Sequence, residues 1–543
     1  MQSIESLAEE LEIAPGHVCQ WGRDRAKVAL EAVSDKRGKL ILVSAINPTP
    51  AGEGKTTMTV SLAMGLRLRG VKVAAALREP SLGPVFGVKG GGTGGGRATI
   101  EPADAINLHF TGDIHAVTSA HNLLAALVDN ALVYRDRFGG EDLDGRTITW
   151  PRAIDMNDRS LRDMIIGLGG KGYGIPRQSR FDITAASEVM AILCLAENLR
   201  DLEKRCGRIV VGTTRAGGPV TAADIGAASA MTALLKDALL PNLVQTKEGG
   251  PVFVHGGPFA NIAHGCNSVL ATRMALSHAD VTVTEAGFGF DLGGEKFLDI
   301  KCRQSGLWPD LVVLVATTRA LKYQGGASLA TTSEPHPEAL ARGLEMLAKH
   351  LESIASFGLR AVVVLNRFTT DTREERVTID RFTTNLGASF AECEGFANGG
   401  EGALAFADIV QSALSGPATA PRFTYPLEAS IEDKLRAVAK TIYGAADVVL
   451  TPSAKQDLAR IGEPALAVCI AKTHLSLSDQ AKQLGRPSDF LITVRELRLA
   501  AGAGFVVALA GEIVTMPGLP KVPSARRVVI HEDGRISGLM QGT

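Results

Sequence analysis

Lys39-Leu-Ile-Leu-Val-Ser44 is a mostly apolar run of strand length, and it feeds into a Pro/Gly loop that ends Gly54-Lys-Thr56. From Thr56 to Leu68 apolar residues recur at helical spacing, and Val71 to Leu77 returns to a buried-strand pattern. Strand, glycine loop, helix and second strand in that order commit the chain to a parallel sheet with right-handed crossovers. The loop itself, Thr49-Pro-Ala-Gly-Glu-Gly-Lys-Thr-Thr57, has the strand-before, helix-after context of a phosphate-binding P-loop. Gly52 and Gly54 let backbone N–H groups turn toward phosphate oxygens, and the helix N-terminus adds partial positive charge. Lys55 would reach the β/γ-phosphates, and the Thr56 hydroxyl could ligate Mg²⁺. Thr49 stands where the strict pattern has its first glycine. The competing reading is a surface turn that happens to hold Gly-Lys-Thr.

The rest of the chain repeats the alternation. Strands are expected at Ile209–Val211, Val252–Val254, Val281–Glu285, Leu311–Ala316, Ala361–Leu365 and Ala467–Ile470. Helices are expected at Ser3–Ile13, Ala185–Arg200, Ala222–Leu240 and Glu338–Phe357, and a hairpin around Asp533-Gly534 in the tail. A chain of 543 residues exceeds one core of roughly 250–300 residues. The expected fold class is therefore α/β, with a large P-loop domain around a mostly parallel sheet plus two smaller α/β domains. Joints at Thr331–Pro337 and Ser415–Pro426 place these at residues 1–330, 331–425 and 426–543.

Composition then excludes several classes. Lys+Arg of 57 against Asp+Glu of 58 leaves a net charge of −1, so no basic nucleic-acid footprint is expected. No apolar run reaches the ~18–20 residues of a membrane span, and Met1–Leu11 lacks the basic start of a secretory signal. The seven cysteines are scattered without a Cys-x-x-Cys pair, which points to reduced thiols in a cytoplasmic protein.

Polar clusters recur at predicted strand ends, where open α/β sheets bind ligands. Arg78 and Glu79 end the second strand, beside the P-loop strand, and a guanidinium there could clamp an anion bidentately. Gly90 to Gly96 is all glycine except Thr93, and reads as a lid or a linker. His255 to Ser268, Thr284 to Lys296 and Asn366 to Asp371 add three more such loops, and together they suggest one ligand crevice. Asp155 to Arg159 reads equally as a salt-bridged turn or a site. His109, Asp113 and His115 lack zinc spacing and read as structural histidines, and Cys266, with no base nearby in sequence, reads as structural.

Taken in order, Thr49 to Thr57, Arg78-Glu-Pro-Ser-Leu-Gly-Pro84, Asn107 to Asp113, Asp155 to Arg159, His255 to Ser268, Thr284 to Phe297, Glu334-Pro-His-Pro337, Tyr425-Pro-Leu427, Ala471-Lys-Thr473, Gly502 to Phe505 and Met516 to Lys521 resemble the formate–tetrahydrofolate ligase family from about residue 20 onward. The resemblance implies a monofunctional enzyme making 10-formyl-tetrahydrofolate, ADP and phosphate from formate, ATP and tetrahydrofolate through formyl phosphate. It implies Mg-ATP on Thr49, Pro50, Ala51, Gly52, Glu53, Gly54, Lys55 and Thr56, with Thr56 on Mg²⁺ and Arg78 on the formyl phosphate. Lys55 and Arg78 are then the catalytic pair. Phe368 and Phe396, from the second domain, would stack the pterin; Phe396 stands where a Trp is usual. Gln324 replaces a usual His and Gly218 a usual Lys. The family likeness further implies a homotetramer, a monovalent cation, and neither nucleic-acid nor membrane partners. A P-loop on a parallel sheet would by itself equally suit a nucleotide-switch ATPase.

Overall fold

In the computed structural model, which describes residues 2–35, 37–50, 52–88, 90–135, 142–462 and 464–539, the buried runs pair into one 12-stranded sheet. Its central strands are β1 (Lys39–Ala45), β2 (Val73–Leu77), β3 (Asn242–Thr246), β4 (Pro251–Val254), β5 (Val281–Glu285), β6 (Leu311–Ala316), β7 (Ala361–Asn366) and β8 (Ser389–Cys393). They lie side by side in the order β3-β4-β2-β5-β1-β6-β7-β8. Every pairing from β4 to β8 is parallel, and β3 runs antiparallel to β4. β2, β5 and β6 are buried along their whole length; β2 and β6 read as continuous apolar runs, whereas β5 alternates Val with Thr and buries its threonines as well.

Alternate side chains of β1 feed two cores. Ile41 and Val43 pack with Met58, Val60 and Leu62 of helix α1 (Lys55–Leu68). Leu40 and Leu42 face the opposite layer, with Val117, Leu124 and Val128 of helix α2 (Asp113–Tyr134). Helix α3 (Val269–His278) starts on a Ser268 cap and α4 (Pro337–Ser356) on a His336 cap. α2 is the one described helix long and apolar enough, by length and composition, to cross a membrane, a length the run-by-run reading did not anticipate. Its apolar face is packed in the core just described, and Asp113 and His121 on it are buried.

Several expectations change in the fold. Ile209–Val211 does not join the main sheet; Val210–Thr213 pairs with Pro219–Thr221 in a separate antiparallel hairpin. Ala185–Arg200 breaks into two helices, Glu188–Leu195 and Leu199–Gly207, because Asn198 caps the second. Only Ala228–Leu235 of the long Ala222–Leu240 prediction is helical. β7 and β8, expected in a second domain after residue 330, extend the same sheet as β1. The tail hairpin is present, with Val529–Ile530 paired to Ile536–Ser537.

Past the Pro- and Ser-containing stretch 415–430, β9 (Asp447–Leu450), β10 (Ala467–Ala471), β11 (Leu491–Ala500) and β12 (Phe505–Ala510) form their own sheet in the order β9-β11-β12-β10. One contact tying it to the main body titrates. Glu188 accepts from Gly502 N (2.8 Å), and burial raises its pKa from 4.5 to about 7. The unfolded chain ionises first, so between these values rising pH costs stability, by about 3 kcal/mol in total at neutral pH and above. Glu188→Gln keeps an acceptor for Gly502 N, so its Tm gain over the parent is expected to grow from pH 5 to pH 8. An equal gain at both pH values would refute the assignment.

Candidate active site

The parallel strands end at one edge, and the polar loops gather there. After β1, Gly52 N donates to Thr49 O (3.0 Å), and Gly52 and Gly54 take φ of +85° and +72°, conformations open to glycine. Glu53 turns inward, accepting from Thr49 N (2.6 Å) and from the Thr317 hydroxyl just after β6. Burial raises the Glu53 pKa. Asn366, ending β7, donates to the Glu53 carbonyl (3.1 Å). Three strand ends therefore hold the turn. Gly54 caps α1 without a side-chain acceptor, so the first-turn N–H groups of a 14-residue helix face outward unsatisfied by any cap. Thr49, Pro50, Gly52, Glu53, Gly54, Lys55 and Thr56 form this turn; Ala51 lies outside the described residues.

Lys55 opens α1, and its ammonium is held below the usual lysine range. Burial is the main cause; Glu285 opposes it and the nearby Arg78 charge adds to it. Thr56 Oγ1 donates to Glu285 Oε2 (2.9 Å) at the end of β5. Sequence reasoning named Thr56 but not Glu285, since a glutamate ending a strand carries no motif by itself.

Arg78 follows β2. It does not stand beside the P-loop strand, because β5 lies between β2 and β1. Its Nη1 donates to Pro258 O (3.1 Å), and the guanidinium lies against Gly287, where an added Cβ would sit 2.9 and 3.0 Å from the two terminal nitrogens. Among the described residues no carboxylate is recorded in an ion pair with it. Behind Arg78 a buried network was not anticipated. Lys27 pairs with Asp113 (2.8 Å) and donates to Asn242 Oδ1 (3.0 Å). In Asp24-Arg-Ala-Lys27 that lysine reads as surface charge. Burial, then the charge of Asp113, pushes the Glu79 carboxyl well above its usual range.

Phe368 follows β7, and the Arg319 guanidinium lies 4.5 Å from its ring centroid. Phe396 is 49% exposed, so it is no core residue. The glycine run is an ordered hairpin, not a linker. Gly94–Gly95 pairs with Ala98–Thr99, and Gly92 N donates to Asn107 Oδ1 (2.6 Å). Cβ atoms at Gly95 and Gly96 would each come 3.0 Å from the Phe396 ring, and the one at Gly95 would lie 3.5 Å from Thr57 Oγ1. Both aromatic segments thus border the start of α1, Phe396 through this hairpin and Phe368 through Asn366.

The other clusters are supports. Asp155 accepts from Ser81 Oγ (2.5 Å) and Leu82 N (2.8 Å), fixing the segment after Arg78. His109 and His115 are exposed rather than packed, because they sit on the outer face of the turn and helix whose inner face carries Asp113. Cys266 Sγ donates to His264 O (2.8 Å), and burial pushes its pKa up to about 11, an inert thiol. Gln324 donates to Leu475 O and accepts from Gly485 N, both at 2.9 Å, so its amide supplies a donor and an acceptor as an imidazole could. Gly218 sits in the turn of the separate hairpin, its N–H donating to Thr214 Oγ1 (3.1 Å).

Fold and site together define an α/β protein whose glycine-built turn, with Lys55 and Arg78 beside it, lies at the carboxyl edge of a parallel sheet. A model of the formate–tetrahydrofolate ligase family matches residues 1–540. The chain is 61% identical over 551 aligned residues, covering 100% of both proteins, to a formate–tetrahydrofolate ligase of Myxococcus xanthus (strain DK1622). The chain belongs to the formate–tetrahydrofolate ligase family, and its activity is the ATP-dependent ligation of formate to tetrahydrofolate.

Proposed function

We propose that ATP's phosphates bind the uncapped N-terminus of α1, with Lys55 on the β/γ-phosphates and Arg78 holding the formyl phosphate. The observation that carries this is the convergence of two cations, Lys55 and Arg78, on an uncapped helix N-terminus, which suits a polyanion. In this reading a formate oxygen attacks the γ-phosphorus and the bond to ADP breaks. The aryl amine of tetrahydrofolate then attacks the formyl carbon, the C–O bond to phosphate breaks, and the amine loses its proton. Oxide is a leaving group formate cannot expel; phosphate is one it can. Phosphoryl transfer asks chiefly for positioning and charge neutralisation, and these residues supply both.

Mg²⁺ is implied by the ATP chemistry. Among the described residues no cluster of three or more His, Cys, Asp or Glu is placed to hold a metal. The Thr56 hydroxyl and Glu285 carboxylate, 2.9 Å apart beside Lys55, are hard oxygen donors that suit this ion, which keeps several of its waters. When bound it would neutralise charge on the transferring phosphoryl group.

Phe368 and Phe396 are read as the pterin's two stacking partners, which makes residues 331–425 the folate-binding part of a body that shares the main sheet. Residues 1–330 would hold ATP and formate, and 426–543 would be a third unit. A homotetramer, a monovalent-cation requirement and a cytoplasmic location complete the proposal. The seven free cysteines suit a reducing compartment. Phe396→Trp enlarges the stacking face, so tetrahydrofolate binding by fluorescence titration is expected to tighten by about tenfold, the lower end of base-stacking energies. Weaker or unchanged binding would remove this ring from the stack.

The test of the whole reading is ADP release with ATP and Mg²⁺, adding formate and tetrahydrofolate singly and together. Acidifying the same samples converts formylated folate to its methenyl form, read by absorbance. Joint appearance of ADP and methenyl product, requiring both substrates, supports the ligation route. ADP release without either would favour the nucleotide-switch reading.

A further inference from the structure

The loop after β10 reaches from the C-terminal sheet to the segments that follow β1 and β5. Lys472 Nζ pairs with Asp291 Oδ2 at 2.7 Å, with both side chains buried. Asp291 also accepts from Asn47 Nδ2 (3.3 Å), two residues past the end of β1. His474 stacks on Phe288, with centroids 4.5 Å apart and ring planes 24° from parallel. Phe288 has a φ of +58°, a left-handed conformation rare for a bulky residue. Such strain persists only where the surroundings hold it, and it concentrates at functional sites.

The neighbours of Phe288 say what the strain maintains. Gly287 is the wall against which the Arg78 guanidinium lies. Gly289 sits against the end of β1, where an added Cβ would be 3.5 Å from the carbonyl oxygens of both Ala45 and Ile46. The turn 287–289 is therefore a wedge between the phosphate-loop strand and Arg78. The same C-terminal loop grips it twice, through His474 on Phe288 and through Lys472 on Asp291.

We infer that the 472–474 loop is a positioning element for the acyl-phosphate site: the His474–Phe288 stack holds the strained turn that sets the Arg78 guanidinium at its distance from the phosphate loop. This rests on the reading of Arg78 as the formyl phosphate ligand. His474 acts through Phe288 by the area of its ring, not by proton transfer. Without that ring the turn relaxes toward negative φ, Gly287 shifts, and Arg78 loses its alignment. ATP, held mainly by the α1 turn, is affected little.

Steady-state kinetics and ATP binding on full-length His474→Ala, His474→Phe and Arg78→Ala test this. His474→Ala is expected to raise the KM for formate by about tenfold, with ATP binding within about twofold of the parent, as misplacement of a positioning group does. His474→Phe, which keeps a stacking ring and removes the imidazole, is expected to restore the parent value. A normal formate KM in His474→Ala, or a His474→Phe as impaired as His474→Ala, overturns the inference. If Arg78→Ala leaves formate KM unchanged, the Arg78 reading falls and takes this inference with it. If Arg78→Ala raises it while His474→Ala does not, only the positioning role fails. Should His474→Ala not fold, Phe288→Ala, which removes the same stack and leaves a Cβ-bearing residue strained at the positive φ, is expected to raise the formate KM likewise; a parent-like KM there also refutes the role.

Discussion

Replacing Lys55 with Met is expected to lower kcat for ATP-dependent formylation by about a thousandfold or more, the cost of deleting one preorganised donor to a charge-developing transition state. The fold should survive. Lys55 sits at the first position of α1, and its ammonium is destabilised by burial, with Arg78 adding to this against the pull of Glu285. A neutral side chain of similar length keeps the packing and removes that penalty, so Tm should be unchanged or raised. Rapid-quench measurement of ADP formation, with thermal unfolding on the same sample, checks both halves. Turnover close to the parent would overthrow the phosphate-loop assignment, whereas lost turnover with a collapsed Tm would make the residue structural.

Replacing Arg78 with Ala is expected to lower kcat/KM for formate by about a thousandfold, from loss of a charge-assisted, bidentate anion ligand in a partly buried site. Lysine should recover little. The guanidinium brings both terminal nitrogens against Gly287 and donates from Nη1 to Pro258 O, a fork an ammonium cannot reproduce. ATP binding should stay within about threefold, because the α1 turn is intact. Isothermal titration with ATP beside formate-dependent ADP release separates the two. Equal losses in ATP affinity and formate use would place Arg78 on the nucleotide instead.

Much of the fold could be read from the residues because parallel strands are buried on both faces. Leu311–Ala316 and Val281–Glu285 coincide with the observed strands, the first through an unbroken apolar run that suits a two-sided core and the second through its β-branched Val and Thr residues. Strands carrying polar side chains, and peripheral elements, were harder. β3 (Asn242–Thr246) carries Asn242 and Gln245, whose polarity hides a fully buried strand. Those side chains are satisfied by partners far away in sequence, Asn242 by Asp113 and Lys27, and Gln245 by Gln2. The separate hairpin at Val210–Thr213 has the same local pattern as a core strand and differs only in where its neighbours lie.

The site divides the same way. The turn proposed to bind phosphate could be picked out because its features are local: backbone N–H groups, two glycines at positive φ and a lysine all lie within one turn. Arg78, Phe368 and Phe396 were put forward through family likeness and strand-end position, and their roles remain part of the proposal. Glu285 and Lys472 lay inside segments singled out in the sequence but without a role of their own, and Lys27 and His474 lay outside them. Each gains its role from a contact across more than 80 residues of chain: Thr56 with Glu285, Lys27 with Asp113, Asp291 with Lys472, Phe288 with His474.

By itself, then, the sequence determined the α/β class, the buried strand Lys39–Ala45 and the glycine turn that follows it into a helix, because propensity, periodicity and loop chemistry act over a few residues. Only the tertiary structure decided that β5 separates the Lys55 and Arg78 strands, that residues 361–393 extend the same sheet, and that His474 of a C-terminal loop stacks on Phe288, next to the Gly287 against which Arg78 lies. Those facts depend on strand order and on long-range side-chain pairing, and burial rewards these only after the chain has closed on itself.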